Sequence, residues 1–382
     1  MKVTLGSVAS YINGFAFKPT DWSTCGLKII RIQNLTNPTS EANYYSGTYD
    51  LKYEVNRGDV LISWSASLGI YIWQDEKAVL NQHIFKVVFD KVSLNKKYFF
   101  YQVSYILKRA ESETHGATMK HLTRPVFNAL PFELPSMEQQ NFIANELDII
   151  ARLINAHKRQ LHLLDELVKS RFVEMFGSVK TNSMNWPIVE IGNIIEKLEA
   201  GWSGSGQQRD KKSGEIAVLK VSSVTQGYFI PEECKVLDNQ KNIKKYIFPQ
   251  KGDLLFSRAN TREMVGATAI IMMDYPELIL PDKLWKIQFK DNANVFYMKQ
   301  VLSSTCIRKR FSAVSTGTSG SMYNVSMDKF KKIDIPLPPV NLQEKFAEFI
   351  IDIHKSRLLF KCQLLQYHNI EHIIRGRNYG EF

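Results

Sequence analysis

The sequence has little cysteine and no long apolar run, and each shortage excludes a class of protein. Only four cysteines occur in 382 residues, far apart and without a Cys-x-x-Cys pair, so neither a structural zinc site nor a disulfide framework is expected. No window of about 18 consecutive apolar residues occurs, which argues against transmembrane helices. The first residues also lack the features of a signal peptide. A reducing cytoplasm is the expected compartment, with no membrane association.

Catalytic signatures are missing as well. The glycine-rich segment 201–206 lacks the Lys-Ser/Thr of a phosphate-binding loop, and neither a clear strand nor a clear helix flanks it, so a flexible surface loop is predicted. No Asn-Pro-Pro-Tyr or Asp-Pro-Pro-Tyr tetrapeptide occurs, and Pro281-Asp282 is followed by no Asp/Glu-x-Lys. His83 and His115 have no nucleophile or metal ligand at fixed spacing. The sequence therefore predicts a non-catalytic chain without metal ligands or a cofactor; an enzyme with unfamiliar motifs is the alternative.

Positive charge is present in modest excess. The 49 Lys and Arg residues against 38 Asp and Glu give a formal net charge of +11, which favours a polyanionic partner without identifying one. Residues 1–178 hold 20 basic and 17 acidic side chains, net +3, and the remainder holds 29 and 21, net +8. The excess therefore belongs mainly to the second part of a chain that is long enough for two or three domains.

The chain contains an internal repeat, because four segments recur in the same order. Their offsets grow from 186 to 194, 200 and 203 residues, so the second copy carries insertions between shared landmarks. The matching segments are Val3–Val8 with Val189–Ile194, Arg57–Ser63 with Lys251–Ser257, Val79–Lys86 with Ile279–Lys286, and Leu134–Gln140 with Leu337–Gln343. Two related domains are therefore predicted.

Each copy has short apolar or alternating runs broken by turn residues, which predict strands. A shorter helix is predicted after them in each copy, over 97–108 and 294–309. Each globular half is thus mixed α and β. The predicted strands are Leu27–Gln33, Val60–Ser63, Ile70–Trp73 and Ile84–Phe89 in the first copy, and Ile216–Val221, Leu254–Ser257, Ala267–Met272 and Leu284–Phe289 in the second.

A long amphipathic helix ends each copy. Ser136 and Gln139 form a capping box before a heptad of apolar residues that reaches Gly177, interrupted by His157 and Arg171. About 40 residues at 1.5 Å each span roughly 60 Å. The second copy repeats the pattern from a cap at Asn341 to Gly376. An antiparallel pair of helices is predicted, since both are too long for the neighbouring domain to bury; two unrelated amphipathic helices are the alternative.

The predicted fold class is α+β, with two pseudo-repeated mixed α/β domains separated by two long antiparallel coiled-coil helices. The predicted limits are 1–135 for the first domain, 136–178 for the central helix, 179–338 for the second domain and 339–377 for the distal helix.

Loops that differ between the copies, beside shared landmarks, are the candidates for reading a nucleic acid. After the shared Gly-Asp strand, Arg258 or Arg262 is suited to a guanine and Asn260 to an adenine. Neutral drift of the loops explains any one difference equally well. The candidate DNA-binding residues are Arg31, Asn34, Trp64, Ser65, Gln82, His83, Thr118 and Lys120 in the first copy, and Lys220, Ser222, Arg258, Asn260, Arg262, Lys283, Thr316, Ser319 and Tyr323 in the second.

Taken together, these features resemble one family, the specificity subunit of type I restriction-modification systems. The resemblance is carried by the duplicated halves, the Gly-Asp-(Val/Leu)-Leu strands at Gly58 and Gly252, the Ser-Thr-Gly-Thr at Ser315, and the segment Ile335–Glu344 that opens a long helix. It covers essentially the whole chain.

The resemblance implies two target-recognition domains that each read one half of a split, asymmetric double-stranded DNA sequence. It implies that the helices dock two modification subunits, which bring S-adenosylmethionine and the methylating site, and that restriction and motor subunits join that complex. The rivals left open are a catalytic chain and a coiled-coil scaffold that does not bind DNA.

Overall fold

The computed structural model describes residues 1–37, 39–65, 67–113, 122–240, 243–316 and 323–379. The chain divides into two compact units. The N-terminal unit comprises Met1–Arg159 and Lys361–Phe382, and the C-terminal unit comprises Gln160–Phe360. None of the helices in the described ranges is both long and apolar enough to cross a membrane.

The N-terminal unit consists of ten strands and four short or medium helices within its described residues. Their bounds are β1 Lys2–Thr4, α1 Leu5–Val8, β2 Ser10–Asn13, β3 Leu27–Ile30, α2 Ile32–Thr36, β4 Asn43–Tyr45, β5 Glu54–Val55, β6 Val60–Ser63, β7 Gly69–Ile72, β8 Ala78–Leu80, β9 Ile84–Val88, α3 Lys96–Glu113, α4 Arg124–Ala129 and β10 Pro131–Glu133. Helix α5, Met137–Phe176, begins in this unit and ends in the next.

The C-terminal unit follows the same plan over its described residues. Its bounds are β11 Ile188–Glu190, α6 Ile191–Ile194, β12 Ile195–Ala200, β13 Gly206–Gln207, β14 Ala217–Leu219, β15 Cys234–Leu237, β16 Leu254–Ser257, β17 Ala259–Asn260, β18 Thr268–Ile270, β19 Leu278–Ile279, β20 Leu284–Phe289, α7 Val295–Ser303, α8 Thr305–Val314, β21 Tyr323–Asn324, α9 Met327–Lys331 and β22 Asp334–Pro336. Helix α10, Val340–Tyr379, runs from this unit into the other.

Sheet topology shows that the two units are structural repeats. Each has an antiparallel four-stranded sheet, in the order β2-β9-β6-β7 in one and β12-β20-β16-β18 in the other. Each also has a mixed sheet, β4-β3-β8-β5 or β13-β15-β14-β19, in which one pair of strands is parallel: β3 with β8, and β14 with β19. A short ribbon joins the two ends of each domain, β1 with β10 and β11 with β22.

The recurring Gly-Asp dipeptide is a turn. Gly58 and Gly252 both have φ of +90°, a conformation that favours glycine. The following aspartate closes each turn, because Asp59 Oδ2 accepts the Asn56 N–H at 2.9 Å and Asp253 Oδ2 accepts the Gln250 N–H at 2.7 Å. The most persistent sequence landmark therefore has a conformational cause.

The second landmark, the glutamine that follows Leu-Pro in both copies, is a buried side chain that connects two helices through hydrogen bonds. Gln140 Oε1 accepts the Asn95 N–H at 2.9 Å, and its amide donates to Pro135 O at 3.0 Å. Gln343 repeats both bonds with Asn294 and Pro338, at 2.8 and 2.7 Å. Each glutamine thereby ties the start of a long helix to the start of α3 or α7.

The long helices pack antiparallel in each unit. In the C-terminal unit, Phe172 and Phe176 of α5 contact Phe346 of α10, and Asp165 pairs with Arg357, so one helix rises in number as the other falls. The N-terminal unit repeats this order, with His157 Nε2 2.8 Å from Gln363 Oε1 and Ile374 packed on the cluster that holds Ile143 and Leu147.

The predicted fold class is confirmed, with local corrections. The Ser136–Gln139 capping box forms, with bonds of 3.3 and 3.4 Å, and Gly177 follows α5 with φ of +72°. The cap predicted at Asn341 is wrong, because α10 already begins at Val340. The helix also continues to Tyr379, two residues beyond the predicted limit of 377.

Two shorter elements differ from the prediction as well. Gln33 lies in α2 rather than in a strand, since Asn34 Oδ1 accepts the Arg31 N–H at 3.0 Å and starts a helix there. The helix predicted over 294–309 is two helices, broken where the Ser304 N–H and Oγ both bond to Val301 O.

Candidate nucleic-acid interface

The predicted loops of the N-terminal unit meet at one edge of its sheets. Parallel strands β3 and β8 end side by side at Ile30 and Leu80, and the Asn81 N–H donates to Ile30 O at 3.2 Å. The end of β6 at Ser63 pairs with the start of β9 at Ile84. We call this the N-edge: the ends of β3, β6 and β8 and the start of β9. It gathers the residues around positions 31, 64 and 82.

The C-terminal unit builds the equivalent C-edge from the ends of β14, β16 and β19 and the start of β20. Ser257 pairs with Leu284, as Ser63 does with Ile84. The backbone framework beyond the strands is shared too. The Trp64 N–H points to His83 O at 3.5 Å, and the Arg258 N–H donates to Lys283 O at 3.0 Å.

The second divergent loop returns to the same place in both units. The Leu122 N–H donates to Trp64 O at 3.0 Å, and the Val325 N–H donates to Arg258 O at 2.9 Å. The ends of both variable loops therefore lie at the edges. The candidates Thr118, Lys120 and Ser319 lie outside the described residues.

The N-edge is aromatic at its centre. The Trp64 ring stacks on Phe85 at 5.7 Å and meets His83 edge-on at 5.3 Å. Gln82 and His83 are exposed, whereas Ser65 is buried. This part of the edge offers ring surfaces and one exposed amide to a partner.

Beside it, Arg31 is half-buried and held in place. Its Nη1 donates to Asn43 Oδ1 at 3.0 Å, and its guanidinium lies 5.3 Å from the centre of the Trp22 ring. Asn34 is buried, and its amide group donates to Ser40 Oγ and Glu41 O at 3.1 and 3.2 Å. Asn34 therefore shapes this loop from within.

The centre of the C-edge is charged. Arg258 Nε donates to Asp282 O at 2.8 Å, and Nη2 lies 3.6 Å from Asp282 Oδ2. The other carboxylate oxygen of Asp282 accepts from Ser203 Oγ, and the Asp282 N–H donates back to Ser203 Oγ at 3.2 Å. Where the N-edge presents Trp64 and His83, the C-edge presents an arginine fixed by a carboxylate.

Exposed polar groups surround Arg258. Asn260 pairs through its backbone with Tyr323, and its Oδ1 accepts the Thr261 N–H at 2.8 Å. Arg262 is exposed, Lys283 is half-exposed, and neither cation forms an ion pair within the part of the chain that the structure describes. Thr316 is exposed and bridges to Asn324 through two backbone hydrogen bonds, of 2.9 and 3.0 Å. These four polar residues, two of them cationic, lie in the loops that meet at the C-edge.

Lys220 and Ser222 converge on an acidic partner instead. Lys220 Nζ lies 2.9 Å from Glu233 Oε2 and donates to Gln208 Oε1 at 3.2 Å. Ser222 Oγ donates to Glu233 Oε2 at 2.5 Å. Both hydrogen bonds lower the pKa of Glu233, and the bond from Ser222 has the larger effect.

Sequence reasoning missed one aromatic residue at each edge. The Phe15 N–H donates to Leu80 O at 2.7 Å, and the Trp202 N–H donates to Leu280 O at 2.9 Å. Each follows a glycine that could not carry a Cβ, which at Gly201 would lie 1.9 Å from Leu280 O. The shared Gly-aromatic dipeptide was the available signal. The loop predicted over 201–206 is thus anchored to the C-edge.

The described residues include no group of three or more His, Cys, Asp or Glu side chains placed to hold a metal ion. The four cysteines are free thiols.

Comparison with known proteins identifies the repeated unit. The family model for the type I restriction modification DNA specificity domain matches residues 1–165 and again 184–366. The EcoBI specificity subunit of Escherichia coli is 28% identical over 171 residues, 44% of this chain and 36% of its own. The MjaVIII specificity subunit of Methanocaldococcus jannaschii is 24% identical over 314 residues, 77% of this chain and 72% of its own. The chain thus spans about a third of the length of the EcoBI subunit.

Solved structures share the fold. The S subunit of a type I restriction-modification system from M. genitalium superposes with a TM-score of 0.57 at 12% identity, covering 99% of this chain and 95% of its own. A chain from a structure of the type I R-M system gives 0.52 at 13%, covering 100% and 98%. With two matches to its family model over most of its length, the chain belongs to the type I restriction modification DNA specificity domain family.

Proposed function

We propose that this chain is the specificity subunit of a type I restriction-modification complex and reads a bipartite, asymmetric sequence in double-stranded DNA. The observation that carries the proposal is the pair of edges. Both have the same backbone framework, Trp64 to His83 and Arg258 to Lys283, but they present different side chains. Two domains with the same fold but different side chains at this edge would recognise two different half-sites.

The chemistry of the edges suits DNA. Amide and guanidinium groups pair with base edges, and exposed cations neutralise phosphates. Asn260, Arg262 and Lys283 on the C-edge supply such groups. The net charge of +11, with +8 beyond residue 178, agrees with a polyanionic partner.

Long helices α5 and α10 are proposed to dock two modification subunits. Each helix buries one apolar stripe and leaves other large apolar side chains exposed, which is typical of a protein-binding surface. On α5 these are Met137, Phe142, Ile149, Leu163, Leu167 and Val173, and on α10 they include Ile351, Leu358, Leu359, Leu365, Ile370 and Ile373. Restriction and motor subunits would join this complex.

Methyl transfer is assigned to the partners. We propose that this chain is non-catalytic and that S-adenosylmethionine binds the modification subunits, which act on an adenine flipped out of the duplex. The complex would work in the cytoplasm, where free thiols stay reduced. Purified chain incubated with DNA and S-adenosylmethionine should transfer no methyl group. Transfer by the isolated chain would show that it is an enzyme.

Methylome sequencing of cells with and without this chain, its partner subunits present in both, tests the proposal. A bipartite methylated motif should appear only with the chain, and an unchanged methylome would refute the proposal.

A salt titration of the assembled complex distinguishes a DNA-binding chain from a scaffold that does not bind DNA. Affinity for its DNA should fall on the order of 10³-fold between about 50 and 200 mM salt if six or more phosphates are neutralised. A flat response would favour a scaffold.

A further inference from the structure

We propose that Arg258 reads a guanine in the half-site bound by the C-terminal unit, and that Asp282 and Ser203 position it for that contact. The inference rests on the proposed function and deepens it, because it names one base and one residue. From the sequence alone, Arg258 and Arg262 are equally suited to read a guanine. Their contacts in the structure distinguish the two residues.

The guanidinium of Arg258 is held along one side only. Nε and Nη2 share one edge of the planar group, and both face Asp282: Nε donates to its carbonyl oxygen at 2.8 Å, and Nη2 lies 3.6 Å from Oδ2. An end-on bidentate contact with guanine O6 and N7 uses one N–H from each terminal nitrogen, whereas the side-on edge, Nε with Nη2, already faces Asp282. That end-on edge of Arg258, Nη1 with the second proton of Nη2, makes no hydrogen bond to any residue within the described ranges.

Asp282 is itself fixed from a different loop. Ser203 Oγ donates to Asp282 Oδ1, and the Asp282 N–H donates to Ser203 Oγ at 3.2 Å. Gly201 brings this loop against the edge, because its α-carbon packs where a Cβ would overlap Leu280 O. A chain of contacts from Ser203 through Asp282 therefore orients Arg258 before any DNA binds.

Preorientation is what makes Arg258 the reader. A free arginine loses rotamer entropy when it docks on a base, whereas one already held in a single orientation loses less. Its side chain is still 31% exposed, so the folded chain leaves part of it open to a partner. The Arg262 side chain is exposed and forms no hydrogen bond or ion pair among the described residues, so it is suited to a phosphate. At the equivalent place on the N-edge stands Trp64, which cannot make the bidentate contact.

The test uses the full chain with its partner subunits and Arg258→Ala, Arg258→Lys, Asp282→Asn and Arg262→Ala variants. The wild-type methylome gives the motif. Duplexes carrying that motif, with each of the four base pairs at every position in turn, then give relative methylation rates. For Arg258→Ala, one G·C position of the C-terminal half-site should lose its discrimination by about 5- to 150-fold, with the other half-site unchanged.

The other variants separate the roles. Arg258→Lys keeps the charge but not the fork, so the same position should relax. Asp282→Asn keeps the carbonyl contact and weakens the ion pair, so relaxation should be smaller but at the same position. Arg262→Ala should weaken binding equally for all sequences.

Two results would overturn the inference: a C-terminal half-site without any G·C pair, or wild-type base preference at every position in Arg258→Ala. If Arg258→Ala fails to fold, Arg258→Lys decides in the same way. A methylome that does not depend on the chain at all would instead refute the proposed function.

Discussion

Replacing Gln343 by alanine should destabilise the C-terminal unit selectively. The side chain is fully buried and makes three hydrogen bonds to backbone groups: it accepts from the Asn294 N–H at 2.8 Å and donates to Pro338 O at 2.7 Å and Asn292 O at 3.1 Å. Each buried polar group left without a partner costs at least about 1 kcal/mol. The free energy of unfolding should therefore fall by about 3 kcal/mol.

Hydrogen exchange followed by mass spectrometry on the full chain measures this effect locally. Amides at the start of α7 should exchange on the order of 100-fold faster, the equivalent of that free energy. The matched variant Gln140→Ala should act instead at the start of α3, where Gln140 holds Asn95. Glu344→Ala, at an exposed position next to Gln343, is the control. If amides at the start of α7 exchange at the same rate in Gln343→Ala and Glu344→Ala, the stabilising role given to Gln343 is refuted.

Three further predictions concern other buried or paired groups. Lys286→Met should lower the free energy of unfolding by about 3–5 kcal/mol, because it removes the ammonium group that lies 2.9 Å from the buried Asp253 carboxylate. Urea denaturation should show that adding Asp253→Asn recovers part of the loss, and equal losses would contradict the pairing. Burial acts to raise the pKa of Asp148, but hydrogen bonds from Lys97 and Tyr101 outweigh it and lower that pKa. The stabilisation is thus present above the unfolded-state pKa, about 3.9, and is lost as pH falls through the lower folded-state value, so the stability difference between wild type and Asp148→Asn should shrink as the pH is lowered through this range; a constant difference would contradict it. Asn34→Ala should cost about 1–3 kcal/mol in thermal unfolding and leave the methylated motif unchanged, whereas a changed motif would make Asn34 a reader.

Strands and helices with strong local signals were predictable. Val60–Ser63, Leu254–Ser257 and Leu284–Phe289 are strands at the predicted residues, because each is a short apolar run next to a turn. Helix α5 followed from its capping box and heptad. The repeat then predicted that both halves share one design, which the sheet order confirms.

Two kinds of element were not predictable from the sequence. The first depends on side chains that are distant in sequence, and the second depends on a single local hydrogen bond. Helix α2 starts where Asn34 Oδ1 accepts the Arg31 N–H. The break before α8 lies where Ser304 donates to Val301 O. Neither position carries a proline or glycine to mark it. Residue patterns alone do not reveal such competition between side chain and backbone.

The candidate site divides in the same way. Divergence beside shared landmarks selected loops whose ends the fold brings to the two edges. That these edges read DNA stays a prediction. The partners of Arg258 were missed, because Ser203 and Asp282 are 79 residues apart. Only the folded chain brings them together, and only their contacts distinguish Arg258 from Arg262.

The central claim is that each unit reads one half of a split DNA sequence. Exchanging residues 179–338 for the corresponding domain of another family member, with the partner subunits present, tests it most directly by methylome sequencing. The account predicts that one half of the methylated motif changes while the other half keeps its bases. Altered bases in both halves, or in neither, would contradict it.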